Sequence, residues 1–542
     1  VTSRQHITGA QAVIATLRAQ NVDTIFGIPG VHTLPLYEAI YLEPGLRHIL
    51  ARHEQGAGFM AEGYARATGK IGVVCTIPGP GVTNVTTAVA SAYADSIPLL
   101  VISGALPRKV LNKGNGELHE VKNQLGIMEA LAGWTRSVNS IEEIPGAINE
   151  AFHVLQSTRP RSAYIQIPYD LLIATAEIEI PLPIEIARPQ PPQEQLLAAA
   201  QLLLAAKRPF IIAGAGVTAA NANEQLCTIA EHLQAPVLLS SKSHDVLPTT
   251  HPLVIATNDS LPLELDTFIA EHDVVLVVGS KLGAERTAGQ RLPLPEQLIH
   301  IDIDPTEISH NYPAQIGIVA DASSALNALL TILNEYKQER SAPTDELNAL
   351  REALHKNLTT FQGENLAFLD GLNTALTTLP ADTLIVADMT MLGYAAAQAL
   401  PMRQPRTFIH PSELCTIGSA LPLAIGAQVA LPDQHVIALC GDGGFLLNAS
   451  EMATAAQERL PLIIIIFNDA TFTRVKADQK LNYAHHYIAT DVLEPDYVTL
   501  AHAFHIKSTR VETPTALSAA IQEAAQQNGP TLIDVMLAPR QW

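Results

Sequence analysis

Val436-Ile437-Ala438-Leu439-Cys440-Gly441-Asp442-Gly443-Gly444 is an apolar run that ends in glycines around one acid, and Leu462-Ile463-Ile464-Ile465-Ile466-Phe467-Asn468-Asp469 repeats the design further along. Runs this apolar, with no polar alternation, mark strands buried on both faces. The strands are expected at Val436–Leu439 and Leu462–Phe467, with a helix from about Ser450 to Arg459 between them. Strand, helix, strand is one βαβ unit of a parallel sheet, and the carboxyl ends of its strands carry Asp442 and the Asn468-Asp469 pair. Open α/β sheets bind ligands along that edge. Gly441, Gly443 and Gly444 let backbone N–H groups come close to a phosphate, while Asp442 and Asn468 or Asp469 offer the hard oxygens that Mg²⁺ takes. Read alone, G-D-G-G is a strand-end turn. The second oxygen cluster one βα unit later favours a metal and a phosphate.

Working outward, similar apolar runs lie at Ile71–Ile77, Leu99–Ser103, Phe210–Ala213, Val274–Val278, Leu298–Ile303 and Thr383–Ala387, separated by Ala/Leu-rich helical stretches. The alternation predicts an α/β protein of doubly wound domains with mainly parallel sheets covered by helices. Two linkers divide it. Pro181–Gln193 is rich in proline, and Gln338–Asp345 is polar, contains Pro343 and follows a helix expected to end near Tyr336. The expected domains are 1–180, 194–337 and 346–542. No internal repeat or low-complexity tract is visible.

Composition narrows the function. Of 542 residues, 47% are hydrophobic and 16% charged, which suits large buried cores, and the net charge is −20 with no Lys/Arg-rich run. Nucleic acids and anionic membranes demand basic patches, so neither is an expected partner. Cys75, Cys227, Cys415 and Cys440 are scattered with no C-x-x-C pair, which points to reduced thiols and a cytoplasmic protein. No basic-then-apolar leader opens the chain, and its longest aliphatic run is too short to span a bilayer. No H-E-x-x-H or similar metal spacing occurs among the histidines.

In the first third, Phe26-Gly27-Ile28-Pro29-Gly30 closes a strand, and Arg52-His53-Glu54-Gln55 opens a helix that continues Gly56-Ala57-Gly58-Phe59-Met60-Ala61-Glu62-Gly63-Tyr64-Ala65-Arg66. Small residues permit close packing there. By itself, Glu54 is a first-turn acid complementing the helix dipole.

Together these segments resemble the thiamine-diphosphate-dependent acetolactate synthase and 2-oxo acid decarboxylase superfamily over essentially the whole chain. The resemblance implies thiamine diphosphate with Mg²⁺ held by Asp442, Asp469 and the main chain of Thr471, with Gly441, Gly443 and Gly444 beside the diphosphate. This chain has Asp469 where the family usually has Asn, so Asn468 and Asp469 both stay in view as the second ligand. R-H-E-Q followed by M-A-E-G-Y-A-R is similar to the segment bearing the catalytic glutamate, which implies that Glu54 engages the aminopyrimidine ring and promotes loss of the thiazolium C2 proton. Leu414-Cys415-Thr416-Ile417-Gly418-Ser419 resembles the element that props the bent cofactor. It implies Ile417 under the rings and main-chain contacts from Cys415 and Ile417; Cys415 replaces a common Gly and is not expected to be a nucleophile. Asp388-Met389-Thr390 resembles a second diphosphate-facing turn with Thr390 as donor, and Pro78–Asn84 resembles the first-domain loop beside the cofactor.

Gly214-Ala215-Gly216-Val217-Thr218-Ala219 formally fits a dinucleotide turn, but the acid expected about 20 residues later is missing, as Ser240-Ser241-Lys242 stands there. The flavin-binding stretch of acetolactate synthases is also lost at Gly279–Arg286, so FAD is not expected. Gly27–Thr33, Arg52–Gly56 and Gly116–Glu120 look most like guanidino-oxopentanoate-type decarboxylases. His119 then stands as a candidate catalytic histidine, with a structural histidine as the alternative. Val31, His32, Arg474 and Val475 fall at the substrate pocket. If Arg474 points inward it favours an acidic over a cationic substrate tail; the alternative is an arginine turned to solvent. The expected activity is decarboxylation of a 2-oxo acid, its joining to a second carbonyl compound, or both; acetolactate synthase is the alternative, and a cofactor-binding protein without turnover is disfavoured because both metal oxygens and the activating acid are present. The expected assembly is a homodimer or homotetramer, with the glutamate domain of one chain facing the diphosphate domain of another.

Overall fold

The computed structural model describes residues 4–538 apart from 185, 240, 257–262, 338 and 494. Ser240 of the central turn and Gln338 of the second linker therefore lie outside the described residues. The chain forms three six-stranded sheets, each parallel throughout, and one antiparallel pair of Gln5–Thr8 with Thr175–Ile178. Helices cover the sheets, as continuous apolar strands require. Leu462–Asn468 is buried at every position, as is Val274–Val278.

Numbered along the chain within each sheet, the strands of the first and third sheets share the spatial order 2-1-3-4-6-5. The central sheet has the order 3-2-1-4-5-6, the doubly wound dinucleotide-fold arrangement. The first and third domains are thus built on one plan, a likeness that the sequence does not display. In both, the direction of winding reverses beside the first strand. That point lies between Thr24–Gly27 and Gly72–Thr76 in the first sheet, and between Leu384–Ala387 and Val436–Gly441 in the third.

The matching helices of these two domains, Glu54–Thr68 and Ala420–Ala430, pack backbone to backbone. A Cβ on Gly63 would overlap the Leu423 carbonyl, and one on Gly426 would overlap that of Met60. One continuous hydrophobic core runs through both domains, from Phe26 to Leu532, whereas the central domain keeps its own, from Leu196 to Leu354.

Several element ends differ from expectation. The strand after Val436 continues through Gly441, and Asp442–Phe445 forms one helical turn. The helix expected from Ser450 is a 3₁₀ turn, Ala449–Glu451, followed by Met452–Gln457. Glycine-rich sequence conceals such short turns because their stability comes from packing and not propensity. The helix before the second linker ends at Leu333, and the next begins at Thr344, directly after Pro343. Proline's fixed φ is compatible with a helix start.

All three domains meet at one buried charge cluster. Asp95 of the first domain pairs with Arg66, which also holds Glu62 at 2.6 Å. Lys242 of the central domain lies 3.3 Å from Asp95, whose other role is to accept the Glu413 N–H of the third domain at 3.2 Å. Burial alone would raise the Asp95 carboxyl, but the Lys242 and Arg66 cations hold it down to about 2. A carboxylate whose folded pKa is depressed contributes stability above its unfolded pKa and loses it as pH falls through the folded value. Urea titrations should therefore show an Asp95-dependent loss of stability from about pH 4 to about pH 2. Asp95→Asn should cost roughly 3–5 kcal/mol at neutral pH by stranding buried cations, and it should flatten that acid limb.

Candidate active site

The residues singled out from the sequence gather into two groups, one at each reversal point. In the third domain, Asp442 is the first residue of its helical turn, and its carboxylate accepts the Gly443 N–H at 2.7 Å and the Ala470 N–H at 2.6 Å. Ala470 adopts a left-handed φ of 55°, a costly conformation without glycine, and so aims its N–H back at Asp442. Burial, and then the charge of Asp469, push the Asp442 carboxyl up to about 6 against the backbone N–H groups that favour its ionised form. Two carboxylates at neighbouring strand ends repel each other unless a cation lies between them. This donor set fits a hard divalent ion.

Asp469 is tied by the Thr473 hydroxyl. Asn468, by contrast, is turned into the sheet, its Nδ2 donating to Asp534 Oδ1 at 3.2 Å. Thr471 sits beside them, its hydroxyl donating to Asp491 at 2.9 Å. The glycines are needed for space: a Cβ on Gly443 would come within 2.5 Å of the Phe472 ring, and one on Gly441 within 3.1 Å of Thr390 Oγ1. Thr390 therefore faces the glycine turn. Gly444 lies against Gly418, beside Ile417, which is 39% exposed. Cys415 is exposed and left-handed, with φ 53° and its Sγ 3.1 Å from the Ser412 carbonyl.

Residues not singled out from the sequence hold this arrangement. Asp388 accepts the N–H groups of Met389 at 2.8 Å and Gly418 at 3.0 Å, which joins the Asp388–Thr390 turn to the Cys415–Gly418 turn. Burial raises its carboxyl to about 6, and its Oδ2 has no partner among the described residues. Tyr497 donates to the Asp442 carbonyl at 3.0 Å, and Asn448 to the Gly418 carbonyl at 2.7 Å. A tyrosine or asparagine this far along the chain gives no local signal of such a role.

In the first domain, Glu54 is buried and accepts from Asn84 Nδ2 at 2.9 Å. The Gly79 N–H donates to Gln124 Oε1 at 2.9 Å, and the room left by Gly79's missing side chain is taken by the His119 backbone. His119 itself is left-handed, with φ 66°. Its loop is stapled by Glu120, which accepts the N–H groups of Gly114, Gly116 and Glu117 at 2.8, 2.7 and 3.1 Å. The His32 and His119 rings lie 5.2 Å apart, and neither Nδ1 has a partner among the described residues. Burial, and then His119, push the His32 pKa below its usual range. Val31 and Leu118 flank the pair, 60% and 58% exposed.

Arg474 and Val475 begin the helix Thr473–Asn482 beside the third-domain group. Arg474 is half-exposed, 3.4 Å from Asp478 and over the Phe361 ring, and Val475 is exposed. A separate cavity of about 260 Å³ opens at the carboxyl edge of the central sheet, bordered by Gly214, Gly279, Lys242, Lys281 and Arg406. Glu413 closes on Lys281 there at 2.8 Å. No helix among the described residues is long and apolar enough to cross a membrane.

Comparison with known proteins matches three parts of the chain, one in each domain. Residues 7–127 match the thiamine pyrophosphate enzyme N-terminal TPP binding domain, residues 196–329 the central domain and residues 388–535 the C-terminal TPP binding domain. The chain is 37% identical to the "Probable 2-ketoarginine decarboxylase AruI" of Pseudomonas aeruginosa over 532 residues, which cover 98% of this chain and 94% of that one. It is 33% identical to the "Probable acetolactate synthase large subunit" of Methanocaldococcus jannaschii, covering 98% and 92% of the two chains. Against the acetolactate synthase isozyme 1 large subunit of Escherichia coli the identity is 32%, with 99% and 95% covered. With all three domains matched and full-length relatives above 30% identity, the chain belongs to the thiamine pyrophosphate enzymes and is a thiamine-diphosphate-dependent enzyme.

Proposed function

We propose that this enzyme decarboxylates a 2-oxo acid with thiamine diphosphate and Mg²⁺, releasing an aldehyde or joining the remaining fragment to a second carbonyl compound. The observation that carries this reading is the facing pair Asp442 and Asp469 beside the Gly441–Gly444 turn. When bound, the cofactor supplies the electron sink for the bond pair that departing CO₂ leaves behind. The chain supplies the rest. Asp442, Asp469 and the Thr471 carbonyl hold the metal; Gly441, Gly443, Gly444 and Thr390 face the diphosphate; main-chain groups of Cys415 and Ile417, with the Ile417 side chain, hold the ring end. Glu54 keeps a proton at the aminopyrimidine, where Asn84 fixes its carboxyl. His32 and His119, with Val31, Arg474 and Val475, line the substrate pocket, and His119 moves a proton at the reacting carbon.

Other features support the remaining parts of this reading. Val31, Leu118, Ile417, Leu447 and Val475 are exposed apolar side chains at or beside the two groups. A second chain covering them would complete each site, which favours a homodimer or homotetramer. The flavin-binding stretch of acetolactate synthases is replaced by another sequence at Gly279–Arg286, so FAD is left out of the proposed cofactors. None of the four cysteines forms a disulfide among the described residues, which suits a cytoplasmic protein. The proposed domain limits are 1–180, 194–337 and 346–542, with Leu347, Leu350 and Leu354 of the third packing into the central core.

Two measurements test the reading. Thermal melts should show stabilisation by Mg²⁺ with thiamine diphosphate in wild type and in Asn468→Ala, but not in Asp442→Ala or Asp469→Ala. Loss of the effect in Asn468→Ala alone would move the ligand by one residue. Turnover of guanidino, neutral aliphatic and dicarboxylic 2-oxo acids, with CO₂ and acyloin scored separately, should show the guanidino acid disfavoured and Arg474→Ala relieving that bias by tenfold or more in kcat/KM. A wild-type preference for the cationic acid, or an unchanged ranking, would remove Arg474 from the pocket. Acyloin from pyruvate as the dominant product would favour acetolactate synthase, the activity in the names of the relatives that are 32–33% identical.

A further inference from the structure

Glu451 is a charged side chain with no solvent exposure, and the cofactor reading gives it no task. It stands on the 3₁₀ turn after the Asp442–Phe445 helical turn, and its carboxylate reaches into the first domain. There it accepts the Arg52 N–H with both oxygens at 3.1 Å and the His53 N–H at 3.0 Å, while Thr454 Oγ1 donates to it at 2.8 Å. These amides belong to the two residues directly before Glu54. His53 is the N-cap of the Glu54 helix, its Nδ1 accepting the Gln55 N–H at 3.1 Å. Gly56, one turn in, is bare on the side that faces Glu451: a Cβ there would overlap the Glu451 carboxylate.

The contact is reinforced on both sides. Arg52 Nη2 donates to Gln457 Oε1 at 2.7 Å, and Arg47 pairs with Glu458 at 2.8 Å. If domain adhesion were the only need, an apolar side chain would serve, because buried carboxylates carry a desolvation cost that pairing often fails to offset. A carboxylate differs in accepting several backbone N–H groups at once, which fixes the direction of the chain that donates them. The chain fixed here ends in Glu54.

We propose that Glu451 is a positioning residue for Glu54: the segment following the diphosphate turn grips the entry to the Glu54 helix and holds the Glu54 carboxyl where it can exchange a proton. The inference rests on the reading of Glu54 as the proton-holding acid. Functional side chains need placement within about 0.5 Å, which neighbouring hydrogen bonds supply.

The test uses the full-length protein with Glu451→Gln, Gly56→Ala and the double variant. In Glu451→Gln an amide NH₂ confronts N–H donors. In Gly56→Ala the carboxylate is displaced while remaining present. Backbone amide exchange of the 50–56 peptide, measured without cofactor, should rise at least tenfold in each, with the 297–302 strand unchanged. With cofactor, kcat should fall at least tenfold while KM for the 2-oxo acid and the dissociation constant for thiamine diphosphate change less than threefold. The double variant should be no worse than the worse single one, since both break one contact. Thr454→Val, which removes a single donor, should give a smaller change in the same direction and serves if Glu451→Gln does not fold. Unchanged exchange at 50–56, additive losses, or raised exchange with wild-type kcat would overturn the proposal. Near-wild-type turnover of Glu54→Gln would instead overturn the reading of Glu54, leaving the grip itself to be judged by the exchange data.

Discussion

The contact between the helices Glu54–Thr68 and Ala420–Ala430 is the constraint that sets the chain's two groups of site residues relative to each other. Two helices can approach until backbone meets backbone only where side chains are absent, and Gly63 and Gly426 supply that absence reciprocally against Leu423 and Met60. Each helix leads from a functional turn. One begins at Glu54, and the other begins just after Gly418, which Asp388 and Asn448 hold on either side. Locking the helices together fixes both turns in one frame, and the shared core of the first and third domains follows from it.

Electrostatic strain marks the third-domain turns, as it does Asp245 and Asp302 elsewhere. Asp442 and Asp388 are buried carboxylates raised to about 6, and Asp442 also faces the like charge of Asp469. Cys415, Ala470 and His119 are among the left-handed non-glycine residues found along the chain. Such costs persist where surrounding structure over-determines them, and they cluster at sites that must present groups in one geometry. A divalent cation between Asp442 and Asp469 would convert the repulsion at Asp442 into attraction. At Asp95, where the three domains meet, the buried charge is instead paired with cations.

Much of this was legible in the sequence. Apolar runs without alternation announce parallel strands because burial on both faces leaves no position for polar residues, and the third-sheet strands stand within a residue or two of their expected ends. The motif residues reached the two reversal points because strand ends are where the fold presents side chains to ligands. What stayed hidden depends on partners distant in sequence. Glu451 meets Arg52 and His53 across some four hundred residues of chain, and Asn84 reaches Glu54 from the following helix. The turn Asp442–Phe445 is hidden in glycines that favour no helix, and the common strand order of the first and third domains leaves no repeated sequence. Arg474 looked free to select substrate, yet its neighbour Asp478, one helical turn on, already answers its charge in part.

In the proposed function Glu54 is the group that makes the bound cofactor reactive. The most direct measurement is the exchange rate of the thiazolium C2 proton of enzyme-bound thiamine diphosphate, followed by NMR after quenching in deuterated buffer. Wild type should exchange it orders of magnitude faster than the free cofactor, and Glu54→Gln should return the rate close to the free value while still binding Mg²⁺ and cofactor. Rapid exchange in Glu54→Gln, equal to wild type, would contradict the account.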